Sequence, residues 1–382
     1  MTRAPKYEGD AGAMAPHPNA VKLSASWQDK PLVEQSPVGL AKSRWLNLMT
    51  LARIAFAGLV ALVLYSTAFN PSLAAATSLG SAEHCAAYSG LPAHWGSDPL
   101  AGTVPINGGE FTLGTTLGYE EERQEVKIQV KSFRLDQTEV TVAQFAAFVK
   151  ATGYMTEAER EGGGVVFRPP TIEELNQRSY AWWRYLKGAN WQHPASTGSV
   201  AVDNHPVTLV TLVDALAYAH WLGRDLPTEA EWEYAAKAGH QGAGLEKEPR
   251  DTKGKPLANF WQGNFPLLNA REDGHEGVAP VGCYVANDFN IYDMVGNVWE
   301  QTRDVYTPSH QFQSTQTTAK EAANPARLMV VKGGSHLCGR DFCVRYRPSA
   351  REGHEANLPL SHIGFRTVIR YNTSNPLSKF GR

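Results

Sequence analysis

Apolar and polar positions alternate along this chain with periods that change from segment to segment. The first 44 residues hold Pro, Ala, Ser and scattered charge with no sustained period, the pattern of a disordered leader. From Ile54 to Tyr65 the chain is uninterrupted apolar or glycine, preceded by Lys42, Arg44 and Arg53 and followed by small residues at Ala74 and Ala76. A spanning helix needs about 20 such residues, so residues 45–76 are expected to be an export signal with an A-x-A-like cleavage site. Left uncleaved, the stretch would extend to about Phe69 and anchor the chain, with the basic leader in the cytoplasm. Either way the remainder is expected outside the cytoplasm, periplasmic or extracellular.

Beyond residue 100 the texture is uniform to about residue 372, which predicts one domain. Val126, Ile128 and Val130 alternate with Lys127 and Gln129, the period of a half-buried strand. Thr141 to Gln144 reads as a capping box opening a helix with Phe145, Phe148 and Val149 on one side and a stop near Gly153. A second helix is predicted from Leu212 to Leu222, and a third opens at Thr228 with Trp232 and Ala235 on one face and Gly239 as its stop. The Gly162 to Gly164 run predicts a flexible loop. From Asn259 to Gly364, Gly, Asn, Asp and aromatic residues dominate, which predicts a long irregular segment held by side-chain networks or ions. The expected fold class is α+β, poor in regular structure.

Composition narrows the partners. With 36 basic and 38 acidic side chains in 382 residues, the chain has no global attraction to nucleic acid or to an anionic membrane surface. The membrane enters only through an uncleaved N-terminal segment. Four cysteines are too few for a disulfide scaffold of this length. No Walker-type loop, H-E-x-x-H or G-x-S-x-G pattern occurs.

Candidate chemistry lies in two places. Cys338 and Cys343 are five apart, a spacing that neither an ideal strand nor an ideal helix brings together, but Gly339 permits a turn that would. Converging thiolates suit copper(I) or form a redox-active disulfide. The plainer alternative is one buried thiol and one structural disulfide partner. His336 beside them reads as a packing residue. The second place is oxygen-rich: Asn259 with Asp273, and Asp293 with Glu300, offer calcium ligands or, equally, turn caps. Arg345, Arg347 and Arg351 suit either an anion or peptide backbone, or structural ion pairs.

From about Val104 to Val368 the chain resembles the formylglycine-generating enzymes, the sulfatase-modifying factors. The resemblance runs in order through INGGEFTLG at Ile106, TGYMTEAE at Thr152, WW at Trp182, KGANWQHP at Lys187, HPV at His205 and LPTEAEWEYAA at Leu226. It continues through NFWQG at Asn259, MVGNVWE at Met294, KGGSHLC at Lys332, CVRYRPSAR at Cys343 and HIGFR at His362. It implies a fold related to C-type-lectin-like domains. It also implies copper(I) held by Cys338 and Cys343, joined by a substrate cysteine as a third sulfur ligand before molecular oxygen is activated. The implied substrate is a cysteine in a C-x-P-x-R stretch of an unfolded sulfatase polypeptide, converted to formylglycine. Ser335 matches a serine near the oxygen pocket and Trp299 the aromatic that walls it. Asn259, Asp273, Asp293 and Glu300 match calcium ligands, completed by carbonyls of Phe260, His275, Gly296 and Val298.

Departures fall on substrate recognition, where the resemblance and the arginine cluster together point to Phe342, Arg345 and His362. Phe342 replaces a usual tyrosine, Gly339 a common histidine, and His362 an asparagine of the substrate groove; Glu352 to Leu360 departs from the usual serine- and asparagine-rich pattern. Cys85 and Cys283 match no functional position of the family and are left unassigned, a single buried thiol being the commonest case; the disulfide cysteines of the animal enzymes are absent, which suggests stabilisation by calcium and packing. Two alternatives stand beside this reading: an oxidase of the same fold acting on another substrate, such as a periplasmic metabolite, and a non-catalytic ligand-binding module.

Overall fold

The structure, a computed structural model, describes residues 79–308, 310 and 327–371. The expected leader and export segment lie outside the described residues. In chain order the elements are α1 (Ala82–Ala87), β1 (Thr103–Ile106), β2 (Gly109–Leu113), β3 (Val126–Val130), β4 (Phe133–Asp136), α2 (Val142–Thr152), α3 (Glu157–Arg160) and β5 (Gly163–Phe167). There follow α4 (Ile172–Gln177), β6 (Trp183–Lys187), α5 (Leu212–Trp221), α6 (Glu229–Lys237), β7 (Trp299–Val305), β8 (Leu328–Lys332), β9 (Arg351–Glu355), β10 (Ile363–Gly364) and β11 (Val368–Arg370). Short helices and small sheets joined by long connections make this an α+β fold with little regular structure.

The helices start where side chains cap them. At α2 the Thr141 hydroxyl accepts from the Gln144 N–H at 3.2 Å while the Gln144 side chain accepts from the Thr141 N–H at 2.9 Å. Gly153, at φ 69°, ends it in the left-handed region. Thr211 with Asp214 and Thr228 with Glu231 repeat the device at α5 and α6. The left-handed residue that ends α6 is Ala238, at φ 47°, one position before the expected Gly239. Phe145 and Phe148 of α2 pack with Trp191, Tyr218 and Phe365 in the first core, with Phe145 and Tyr218 rings 5.9 Å apart.

Two regions differ from the sequence expectation. The glycine run is no flexible loop: Gly163 and Gly164 are buried in β5, which pairs antiparallel with β6. A Cβ on Gly163 would meet Leu186 O at 2.4 Å, and one on Gly164 would meet the Leu209 side chain at 2.6 Å, so close backbone approach explains these glycines. Nor is the stretch from Asn259 to Gly364 irregular throughout. It is so up to Val298, after which β10, β7, β8 and β9 form a four-stranded sheet in that order. These strands escape an apolar count because they bury polar side chains, among them Glu300, Gln301, Thr302, Lys332 and Arg351.

Those charges are paired across to α6. Lys332 donates to Glu233 at 2.8 Å, and Arg351 donates to Glu229 at 2.7 Å. Burial alone would raise the Glu229 carboxyl, but Arg351 and Lys332 outweigh it and hold the group well below the ordinary carboxylate range. The helix thereby fixes the sheet whose β8 leads into the cysteine loop.

Cys85 and Cys283, which the sequence leaves unassigned, are not single thiols: they form a disulfide, with Cα atoms 4.9 Å apart and a sequence separation of 198. Spacing carries no trace of such a long-range bridge. It ties α1 to the irregular segment, where Gly80 N–H donates to Gly282 O at 2.7 Å and Asn204 donates to Cys85 O at 2.9 Å. A covalent tie thus adds to packing. Replacing both cysteines by serine is expected to cost about 2 to 4 kcal/mol. Guanidinium unfolding should show the same loss in the native protein under reductant, and unchanged midpoints in both would remove the stabilising role.

Candidate active site at the cysteine loop

The chain leaves β8 through Gly333 and Gly334, at φ 89° and 75°. A side chain at Gly333 would strike the Trp232 ring at 2.8 Å, and one at Gly334 would strike Arg345 O at 2.4 Å. Two short turns follow. Cys338 N–H donates to Ser335 O at 2.9 Å, and Cys343 N–H donates to Gly339 O at 3.1 Å. Cys338 O is in turn held by the Trp261 N–H at 2.8 Å. The turns bring both cysteines into one buried apolar cluster, and neither is in a disulfide. The neighbouring Cys338 side chain, reinforced by burial, pushes the Cys343 thiol well above its usual value. Such a thiol keeps its proton until a soft cation displaces it.

The other expected residues gather around it. Trp299, Phe260, Tyr346, Leu360 and Ile363 share one apolar cluster with the two cysteines. Ser335 is buried and its hydroxyl accepts from the Leu337 N–H at 3.2 Å, a bond that shapes the loop. Phe342 stacks on Phe265 at 4.3 Å and meets Trp182 edge-on at 5.4 Å. His362 lies against the Trp183 ring at 4.7 Å, its backbone carbonyl accepting from Trp299 N–H at 2.9 Å. Burial, together with the His354 and His336 imidazoles, pushes the His362 ring well below its ordinary value, so it is neutral, and its Nδ1 is buried without a hydrogen-bond partner.

Arg345 takes the structural role weighed for it. Its guanidinium pairs with Glu121 and Glu352 and lies 4.1 Å over the Tyr119 ring. Arg347 and Arg351 are likewise paired, to Glu122 at 2.6 Å and to Glu229.

An aromatic wall was not singled out as a site in the sequence. Trp182, Trp261, Phe265 and Leu337 form a cluster that Phe342 and Phe167 extend beside the thiols. The indole N–H groups of Trp182 and Trp261 are buried without protein partners. The residues come from four separate segments, so only the density of Trp and Phe hinted at them.

The oxygen-rich residues form two groups. Asp273 accepts from Phe260 N–H at 3.1 Å, from His275 N–H at 3.0 Å and from the Gln262 amide at 2.8 Å, and that amide also faces Phe260 O. A side-chain amide donor thus sits between two of the expected calcium-binding oxygens, the place a cation would occupy. Asn259 bonds Asn297 at 3.0 Å beside them. In the second expected set, Asp293 with Gly296, Val298 and Glu300, Asp293 accepts from Gly282 N–H at 2.5 Å and Glu300 accepts from Arg366 and Trp232. Among the described residues no three His, Cys, Asp or Glu side chains converge on one point, so any hard cation here would take amide and backbone oxygens as well.

Comparison with known proteins agrees with this geometry. Residues 89–371 match the family model described as sulfatase-modifying factor enzyme 1-like domain. A formylglycine-generating enzyme of Mycobacterium tuberculosis is 40% identical over 70% of this chain and 98% of its own length. One from Mus musculus is 40% identical over 71% of this chain and 76% of its own. A Bos taurus relative named inactive C-alpha-formylglycine-generating enzyme 2 is 34% identical over 71% of this chain and 89% of its own length. The match runs from just after α1 to β11, and on it the chain belongs to the sulfatase-modifying factor family, that of the formylglycine-generating enzymes.

Proposed function

We propose that this protein oxidises a cysteine of a sulfatase polypeptide, within C-x-P-x-R, to formylglycine, with copper(I) and dioxygen. The observation that carries the reading is the pair of reduced thiols in one apolar enclosure. Two soft donors without a third protein ligand suit copper(I) and leave it open to a substrate. Copper(I), when bound there, supplies the electron transfer with dioxygen that side chains lack. Cys338 and Cys343 would hold the cation as thiolates, Trp299 and Phe260 would exclude water from it, and the Ser335 turn shapes the loop that carries Cys338. The aromatic wall offers an extended peptide apolar contact and two unused indole donors.

Conversion of the substrate thiol to an aldehyde breaks its C–S bond, releases the sulfur as hydrogen sulfide and removes two electrons, whereas dioxygen reduced to water takes four. An external thiol supplies the other two. The test is the full chain with copper(I), a C-x-P-x-R peptide, air and a thiol reductant, followed by mass spectrometry for the aldehyde. Untouched peptide with copper bound would reject the substrate and retain the metal. A different peptide sequence is the second reading, favoured by the hydroxyl-free stack of Phe342 on Phe265 and the unpartnered His362 Nδ1.

Calcium at the two oxygen-rich groups is part of the same proposal, supported by the Gln262 amide poised between Phe260 O and Asp273. So is export. A buried disulfide persists in oxidising compartments, and the basic, apolar and small-residue order of residues 42–76 suits a signal.

A further inference from the structure

Two peptide planes flank Cys343, and each is held by a hydrogen bond. Its own N–H donates to Gly339 O at 3.1 Å, a contact within the cysteine loop. The following N–H, that of Val344, donates to the Tyr119 hydroxyl at 3.2 Å, and Tyr119 lies 225 residues earlier in the chain. Because the peptide unit is rigid, the plane that carries the Val344 N–H also contains the Cα of Cys343. Holding that N–H restrains the backbone dihedral that follows Cys343, and with it the direction in which the thiol leaves the chain.

Tyr119 is itself fixed from several sides. It precedes the short turn Glu120–Glu122 in the connection between β2 and β3. Its N–H donates to the buried Glu122 carboxylate at 3.0 Å, and the same carboxylate pairs with Arg347 at 2.6 Å. A side chain at Gly118 would strike that carboxylate, which accounts for the glycine. The phenol ring lies under two guanidinium groups, 4.1 Å from Arg345 and 5.8 Å from Arg347. Arg345 is anchored in turn by Glu121 and Glu352, while Arg347 donates to Val344 O at 2.6 Å and to Glu246 at 2.8 Å. The segment from Val344 to Arg347 is thus bound to the Tyr119 turn through both backbone and side chains. Cys338 is oriented by backbone groups, Ser335 O and the Trp261 N–H. Cys343 depends on a side chain from outside the loop.

We infer that Tyr119 is a positioning residue for Cys343, its hydroxyl setting the direction of that thiol relative to Cys338. The inference rests on the reading of the two cysteines as a copper(I) site and adds a residue that acts through the backbone rather than as a ligand. Two thiolates hold one ion only when both point at it, so a small rotation at Cys343 weakens binding more than it weakens the fold. Phenylalanine at this position keeps the ring under Arg345 and Arg347 and removes only the acceptor.

The test compares the full chain with its Tyr119→Phe variant. Copper(I) affinity is measured in competition with a chromophoric chelator, and the ultraviolet thiolate-to-copper(I) band is recorded on the loaded proteins. Tyr154→Phe is the control, because it removes a phenol of the first core that donates to Asp214 at 2.9 Å. Tyr119→Phe should bind copper(I) at least tenfold more weakly and shift the band, while Tyr154→Phe should change neither at a similar loss of Tm. Tyr119→Leu, which also takes the ring from under the two guanidinium groups, should weaken binding further. Binding by Tyr119→Phe as tight as that of the parent chain would overturn the positioning role, whatever the band shows. Equal weakening in Tyr154→Phe would overturn it too, since the cause would then be a general loss of stability. A parent chain that binds no copper(I) would overturn the copper reading itself, and the inference with it.

Discussion

Replacing either Cys338 or Cys343 by serine is expected to abolish peptide oxidation while leaving the fold in place. A serine oxygen is a poor ligand for copper(I), and one remaining thiolate cannot hold the ion against a competing thiol. Turnover should fall by roughly three orders of magnitude or more, about 4 kcal/mol of barrier. The structural cost is smaller. Each change buries a hydroxyl in place of a thiol, about 1 to 3 kcal/mol where no partner is found, and the turns through Ser335 O and Gly339 O use backbone groups that remain. Circular dichroism should therefore show a native spectrum in both variants. Copper(I) bound per chain, measured in competition with a chromophoric chelator, should drop to background. Either serine variant with native turnover would sink the two-thiolate site, whatever its metal content. The same pair of measurements separates this chain from an inactive relative, which could keep the fold without the copper.

The cysteine pair was legible in the sequence because its geometry is local. Four residues between two thiols, a glycine among them, leave few conformations, and a turn is the one that makes them meet. Capping boxes are local too, which is why Thr141, Thr211 and Thr228 mark the helices closely. Where the structure departs from the sequence reading, the deciding contact is distant. β7 to β9 bury Glu300, Lys332 and Arg351 because α6 and the Arg366 segment supply opposite charges, and no window along the chain shows that pairing. Gly163 and Gly164 look flexible until Leu186 O and Leu209 fill the space a side chain would need. The disulfide and the aromatic wall share this character.

Arg366 is where that long-range pairing is most concentrated, and Arg366→Met should be the most destabilising of the substitutions considered. The side chain is wholly buried, and Glu300 and Asp136, two of the residues it binds, are buried with it. Glu300 would lose both of its guanidinium contacts, keeping only the Trp232 indole. Breaking a buried ion pair by removing one partner costs about 3 to 5 kcal/mol. Asp136 O and Tyr292 O, which Arg366 reaches at 3.1 and 3.0 Å, would add about 1 to 3 kcal/mol each if no water replaced it. Whole domains are stable by only about 5 to 15 kcal/mol, so the variant should be near the limit of folding at 25 °C. Arg366→Lys should recover part of the loss, since an ammonium restores charge without the two parallel bonds. The decisive comparison is Arg366→Met with and without Glu300→Gln in guanidinium unfolding. If the penalty is the stranded carboxylate, neutralising Glu300 should return part of it, a coupling of about 1 to 3 kcal/mol. A loss below about 1 kcal/mol for Arg366→Met, or strict additivity with Glu300→Gln, would mean that the buried charges of this segment are balanced by something other than Arg366.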